Sequence, residues 1–165
     1  MGKKHSLDNS LVAEDFFEDY LLIGVQASVP TTIFCTEIKS KLGFNFKREN
    51  CNDAKITFIV DKKSGLGIPG TLFQNIPTEE QVCFGFYRYM IPFSMSPILL
   101  YENKQKEYAL IKEEKEMDFI FLIPDENLEW QQKPFIYWLS QLSSVQNCSY
   151  LDIETLGDSK MNLIL

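Results

Sequence analysis

Tyr20-Leu21-Leu22-Ile23-Gly24-Val25 decides how the rest of the chain is read. It is a continuous apolar run of strand length, uncharged and without helical spacing, and it fits a strand covered on both faces. Gly24 marks a place where another part of the molecule comes close. Outward from it, Val29-Pro30-Thr31-Thr32 opens a helix, with Thr31 or Thr32 suited to cap the first turn. Phe34, Ile38 and Leu42 recur at i, i+4 and i+8 beside Cys35, and Glu37, Lys39, Ser40 and Lys41 form the wet face. Gly43 closes the helix in the left-handed C-terminal position. Residues 44–48 follow as a strand with Phe44 and Phe46 on one side, which completes a strand–helix–strand unit.

The remainder extends this pattern. Residues 56–60 read as a strand, and residues 61–80 as a Gly/Pro-rich loop. Residues 82–90 read as one long aromatic strand. Beyond Pro92 and Pro97, residues 98–101 and 108–111 read as a hairpin around a polar turn at 102–107. Residues 117–123 are the most apolar strand, carrying only Asp118. Pro134 suits the first turn of a second helix, with Phe135, Trp138, Leu139, Leu142 and Val145 on one face. Residues 149–153 make a last strand, and the apolar tail 161–165 docks. Two strand–helix–strand units around antiparallel strands predict an α+β, ferredoxin-like split β-α-β sandwich, with helices on one face and extra strands inserted in the middle. One domain spans residues 1–165, with a polar and acidic tail at 1–18.

Composition narrows the chemistry. The chain has 165 residues, 45% hydrophobic and 24% charged, with 13 Phe and 7 Tyr. That suits one packed domain and excludes a disordered, collagenous or disulfide-scaffold protein. A formal net charge of −7 argues against a broad nucleic-acid face. The single histidine, His5, lies in the tail, so no Ser–His–Asp or Cys–His centre is expected. Cys35, Cys51, Cys83 and Cys148 form no C-x-x-C pair and read as free thiols in or near the core of a cytosolic protein. No metal or other cofactor is expected. No apolar run reaches the ~18 residues of a membrane helix, and no apolar export segment follows Lys3-Lys4. Met1-Gly2-Lys3-Lys4-His5-Ser6 fits a myristoylation pattern and Asn147-Cys148-Ser149 a glycan acceptor; both are read as coincidental.

Gly65-Leu66-Gly67-Ile68-Pro69-Gly70 spells G-x-G-x-x-G after an expected strand. A dinucleotide site also needs a following helix, whose N-terminus receives the pyrophosphate. Thr71-Leu72-Phe73-Gln74-Asn75-Ile76-Pro77 is too short for one and closes on proline. No Asp or Glu lies between residues 88 and 101, where the ribose partner belongs. The segment is read as a connection.

Glu114-Lys115-Glu116-Met117-Asp118-Phe119, entering an apolar strand, resembles the naming motif of the IPExxxDY family of Bacteroidetes. Leu7-Asp8, residues 19–24, Lys41-Leu42-Gly43-Phe44-Asn45-Phe46 and Asn162-Leu163-Ile164-Leu165 are similar to the corresponding text of that family. With Glu114 and Asp118 aligned, Lys112-Glu113 stand where the family has Ile-Pro, and Phe119 where it has Tyr. The resemblance implies a small cytosolic bacterial protein and brings no activity with it. The motif positions are Glu114, Asp118 and Phe119, and Asp118 is expected to cap the strand edge and hold the turn at Glu114.

These observations favour a non-catalytic module acting through a protein partner or a second copy of itself. Tyr87, Tyr89 and Tyr101 would supply an aromatic docking surface on exposed strands. The alternative is a small-molecule-sensing regulatory domain, because the opening strand, Pro30 and the helix ending at Gly43 look like an ACT-type domain. A carboxylate enzyme built on Glu114, Asp118 and Asp15 or Asp19 has no recognisable metal spacing.

Overall fold

The computed structural model describes residues 16–62, 76–124 and 134–164. Its strands are β1 (Tyr20–Gln26), β2 (Lys47–Arg48), β3 (Ala54–Lys62), β4 (Ile76–Phe84), β5 (Phe86–Met90), β6 (Pro97–Glu102), β7 (Lys104–Gln105), β8 (Tyr108–Ala109), β9 (Phe119–Pro124) and β10 (Asn147–Leu151). The helices are α1 (Thr31–Leu42) and α2 (Phe135–Ser140), and short 3-10 segments cover Asn50–Asn52, Lys112–Glu114 and Ile153–Leu163. The fold is mixed α+β.

A six-stranded sheet runs in the order β10-β1-β9-β6-β5-β2. Every neighbouring pair in it is antiparallel. β1 and β9 lie side by side from Tyr20 opposite Pro124 to Val25 opposite Phe119. Every residue of β9 is buried, as its unbroken apolar sequence requires of a strand covered on two faces. On one face Phe34 and Ile38 of α1 and Phe135 and Leu139 of α2 pack over Ile23, Val25, Leu100, Phe119 and Phe121. On the other, Val82 and Phe84 of β4 and Leu156 and Leu163 of the last 3-10 segment pack over Leu22, Tyr101, Ile120 and Leu122. Each such side chain removes enough apolar surface from water to contribute roughly 1.5–3 kcal/mol.

Several expectations change on contact with this architecture. The long aromatic strand at 82–90 is two strands in two sheets, because the chain breaks at Gly85: β4 pairs with β3, while β5 joins the six-stranded sheet. The strand at 44–48 shrinks to β2, although Phe44 and Phe46 do turn into one core together. The 98–101 strand does not pair with 108–111; β6 lies between β5 and β9, and the hairpin is the small β7–β8 ribbon. β3 runs on through Lys62 and β4 begins at Ile76, so the expected 61–80 loop is strand at both ends. Residues 63–75, with the glycine motif, lie outside the described residues. Residues 16–18 form a helical turn that buries Phe17, so the tail ends earlier than 18. The last strand lies at Asn147–Leu151, and Ile153 opens the 3-10 segment instead. Gly43 does terminate α1, at φ 79°, with its N–H donating to the Lys39 carbonyl. Neither threonine caps α1; Pro30 holds that position, and the Thr31 hydroxyl is engaged elsewhere.

Candidate binding site

At one end of the sheet the last residues of β1 and β6 and the first of β5 and β9 come together beneath the start of α1. Between them lies a cavity of about 580 Å³, walled by Thr31, Arg48, Tyr87, Glu102, Lys104 and Asp118 among others. The size falls within the range of small-molecule sites, roughly 300–1,000 Å³.

Glu102, the last residue of β6, forms the floor and is only 8% exposed. Oε1 accepts from the Thr31 hydroxyl at 2.5 Å and the Tyr87 hydroxyl at 3.1 Å. Oε2 accepts from the Gln105 amide at 2.6 Å and the Gly85 N–H at 3.3 Å. A carboxylate offers about four acceptor positions, so Glu102 is filled by its own protein. It forms no ion pair among the described residues; neutral donors carry its charge, which offsets the cost of burial. Gly85 is part of this design. A Cβ there would lie 2.8 Å from the Glu102 carboxyl carbon.

The neighbours respond to that buried charge. Burial, then the nearby Glu102 carboxylate, pushes the Tyr87 phenol up to about 12, so Tyr87 is a neutral donor. The same two causes push the Cys35 thiol up to about 12, which removes it as a thiolate nucleophile near neutral pH. Arg48 donates to Asp53 at 2.9 Å and lies 5.6 Å from the centre of the Tyr87 ring. The hydrogen bond to Asp53 holds its guanidinium above the usual value.

Asp118 occupies the back wall. Its Oδ2 accepts from the Ala27 N–H at 2.8 Å, and its Oδ1 pairs with Lys104 at 3.0 Å. Its own N–H donates to the Val25 carbonyl. It therefore ties the β1–α1 connection to β9 at the edge of the cavity. The turn at Glu114 is held by Asn103, which is fully buried. The Asn103 amide donates to the carbonyls of Glu114 at 2.8 Å and Met117 at 2.9 Å, and its side-chain oxygen accepts from the Ile111 N–H at 2.8 Å.

The expected motif residues thus separate. Asp118 faces the cavity. Phe119 stacks on Phe34 with ring centres 4.5 Å apart and belongs to the core. Glu114 contributes its backbone to the turn. No group of three potential metal ligands occurs among the described residues, and Asp15 lies outside them. The expected docking surface is corrected as well. Tyr101 is 0% exposed and donates from its hydroxyl to the Leu163 carbonyl, Tyr87 is buried on Glu102, and Tyr89 packs against Phe44 and Phe46. β5 and β6 are inner strands, and Tyr87 and Tyr101 are buried in them on opposite faces, while Tyr89 is half-buried at the outer end of β5. The four cysteines are free; Cys51 and Cys83 are exposed, not in the core.

Glu102 and Asn103 were hidden in a run that reads as a polar turn. The Glu102 partners at 31, 85 and 87 are distant along the chain, and only the isolated Gly85 inside an aromatic stretch hints at a close approach. No protein-family model matches the chain, and no curated protein and no solved structure is significantly similar to it. No helix among the described residues is long and apolar enough to cross a membrane.

Proposed function

We propose that this chain is a non-catalytic binding domain of the cytosol, taking a small polar molecule with an acidic group in the cavity beneath the start of α1. The cavity floor carries the reading: its most buried charge, Glu102, is saturated by protein donors, while Arg48 on the wall keeps N–H groups beyond its pair with Asp53, and Lys104 keeps one N–H beyond Asp118 and the Glu116 carbonyl. With the phenol and thiol held in their neutral forms, the arrangement favours recognition over bond breaking.

The strand order supports a ferredoxin-like kernel. β10-β1-β9-β6 runs antiparallel with β1 and β6 pointing the same way, and the segment from β2 to β5 is inserted between α1 and β6. Kinship with the IPExxxDY family belongs to the same proposal and rests on the sequence at residues 114–119.

Thermal-shift measurement against small carboxylates and phosphate esters tests the reading. A ligand at a hundred times its Kd stabilises by about 2.7 kcal/mol, a Tm rise of roughly 5–10 °C at 2–4 °C per kcal/mol. That rise should shrink in Arg48→Ala and Lys104→Ala. A full panel without a shift, or a shift indifferent to both substitutions, contradicts it.

A second reading, docking to a protein partner, rests on the β5–β6 turn. Phe93 is 110% exposed with φ 66°, and Met95 is 93% exposed. Ser94 braces the turn by accepting from the Ser96 N–H and donating to the Ser96 carbonyl. Loss of a captured partner in Phe93→Ser, with unchanged stability, would support that use.

A further inference from the structure

The six-stranded sheet ends on β10, which no other described strand joins on its outer side. The hydrogen-bond parity of β1 shows which groups are left. The Val25 carbonyl accepts from Asp118 on the β9 side, so odd-numbered residues of β1 turn toward β9 and even-numbered ones toward β10. The register places Leu22, Gly24 and Gln26 opposite Leu151, Ser149 and Asn147. Those three residues of β10 therefore spend their backbone groups on β1. Cys148 and Tyr150 present theirs outward.

An open edge is usually blunted by lysine, proline or a bulge. β10 reads Asn147-Cys148-Ser149-Tyr150-Leu151, with no lysine, no proline and no charge in a chain of net −7. Tyr150 is half exposed on the side of the sheet that carries α2, whose Tyr137 and Trp138 are also partly exposed.

We propose that β10 is a dimer edge, pairing antiparallel with β10 of a second copy of this chain about a two-fold axis through Ser149. The register follows from the parity. Cys148 faces Tyr150 of the partner at both hydrogen-bonded pairs, so four N–H to C=O bonds form, and the two Ser149 residues meet at the axis. Extended by one step, Leu151 faces Asn147 and Asp152 faces Gln146, so no like charges meet across the seam. That neutrality favours a second copy over a foreign acidic or basic strand, which would find no complementary charge. The exposed aromatics of α2 lie on the face where the two copies add apolar contact to the backbone bonds, as a stable interface needs.

Sedimentation equilibrium on the full chain across micromolar concentrations tests this. A dimer is expected, with amide exchange at Cys148 and Tyr150 slowing as concentration rises. Tyr150→Lys should raise the dimer dissociation constant at least tenfold with an unchanged far-ultraviolet spectrum. Tyr150→Pro should do the same, because it removes an N–H that β1 does not use. A wild-type chain that stays monomeric overturns the proposal. So does a dimer indifferent to both substitutions, which would point to another surface. Protection of the two amides at every concentration would show that a segment of the same chain covers the edge.

Discussion

Replacing Gly85 with alanine is a direct test of how the cavity floor is built. The Gly85 backbone has no positive φ, so the cost comes from the added methyl alone. The new Cβ would stand 2.8, 2.9 and 3.0 Å from the carboxyl carbon and the two oxygens of Glu102. No relaxed structure tolerates that, and Glu102 cannot retreat without leaving its donors. Overpacking of this kind costs about 1–3 kcal/mol, and a hydrogen bond to a charged group contributes about 1.5–3 kcal/mol. Losing the 3.3 Å bond from Gly85 and straining the others gives an expected loss of about 2–4 kcal/mol. Urea unfolding reads it as a lower midpoint at constant slope. The decisive comparison is Gly85→Ala in a Glu102→Ala background, where the carboxylate is gone and the methyl has room. The second substitution should then cost about 1.5 kcal/mol less than in the parent. An equal cost in both backgrounds would mean that Gly85 is required for some other reason and that the floor is not organised around Glu102.

Two further outcomes follow from the same geometry. Asn103→Ala should destabilise by about 2–3 kcal/mol in chemical denaturation, since it strips the side-chain partner from the Met117 carbonyl and the Ile111 N–H in a buried turn, while the Glu114 carbonyl keeps the Met117 N–H, whereas Glu114→Gln should be near neutral because Glu114 lends only its backbone to that turn. Burial pushes the Glu37 carboxyl up, but hydrogen bonds from Ser144 and Ser143 outweigh it and hold the pKa at about 2. A depressed carboxyl stabilises the fold above its unfolded value of 4.5 and loses that contribution as pH falls toward about 2. Because the site is open to solvent, the loss is on the order of 1 kcal/mol. Stability measured from pH 5 to pH 2 should fall less steeply in Glu37→Gln.

Much of the fold was legible where one physical signal acted alone. The apolar run of β1, the four-residue spacing of Phe34, Ile38 and Leu42, the glycine at 43 and the unbroken β9 each predict what forms. Legibility failed where two signals met. Residues 82–90 have uniform strand character, and only Gly85 records that the chain leaves one sheet for another. Tyr87 and Tyr101 look like surface aromatics until their strands prove to be inner ones, because an alternating pattern loses its meaning when both faces are covered. The cavity was the least legible part. Of its charged side chains only Asp118 drew notice, and Glu102 owes its burial to donors brought in from three separate stretches, at Thr31, Gly85–Tyr87 and Gln105.

The placement of β9 has a bearing on how the nascent chain escapes trouble. Phe119-Ile120-Phe121-Leu122-Ile123 is the kind of sticky segment that seeds cross-β aggregates when it waits unpaired. Its two neighbours, β1 and β6, both precede it in the order of synthesis. When β9 leaves the ribosome, the slot that receives it has already been translated on either side, and of the strands of its sheet only β10 is still to come.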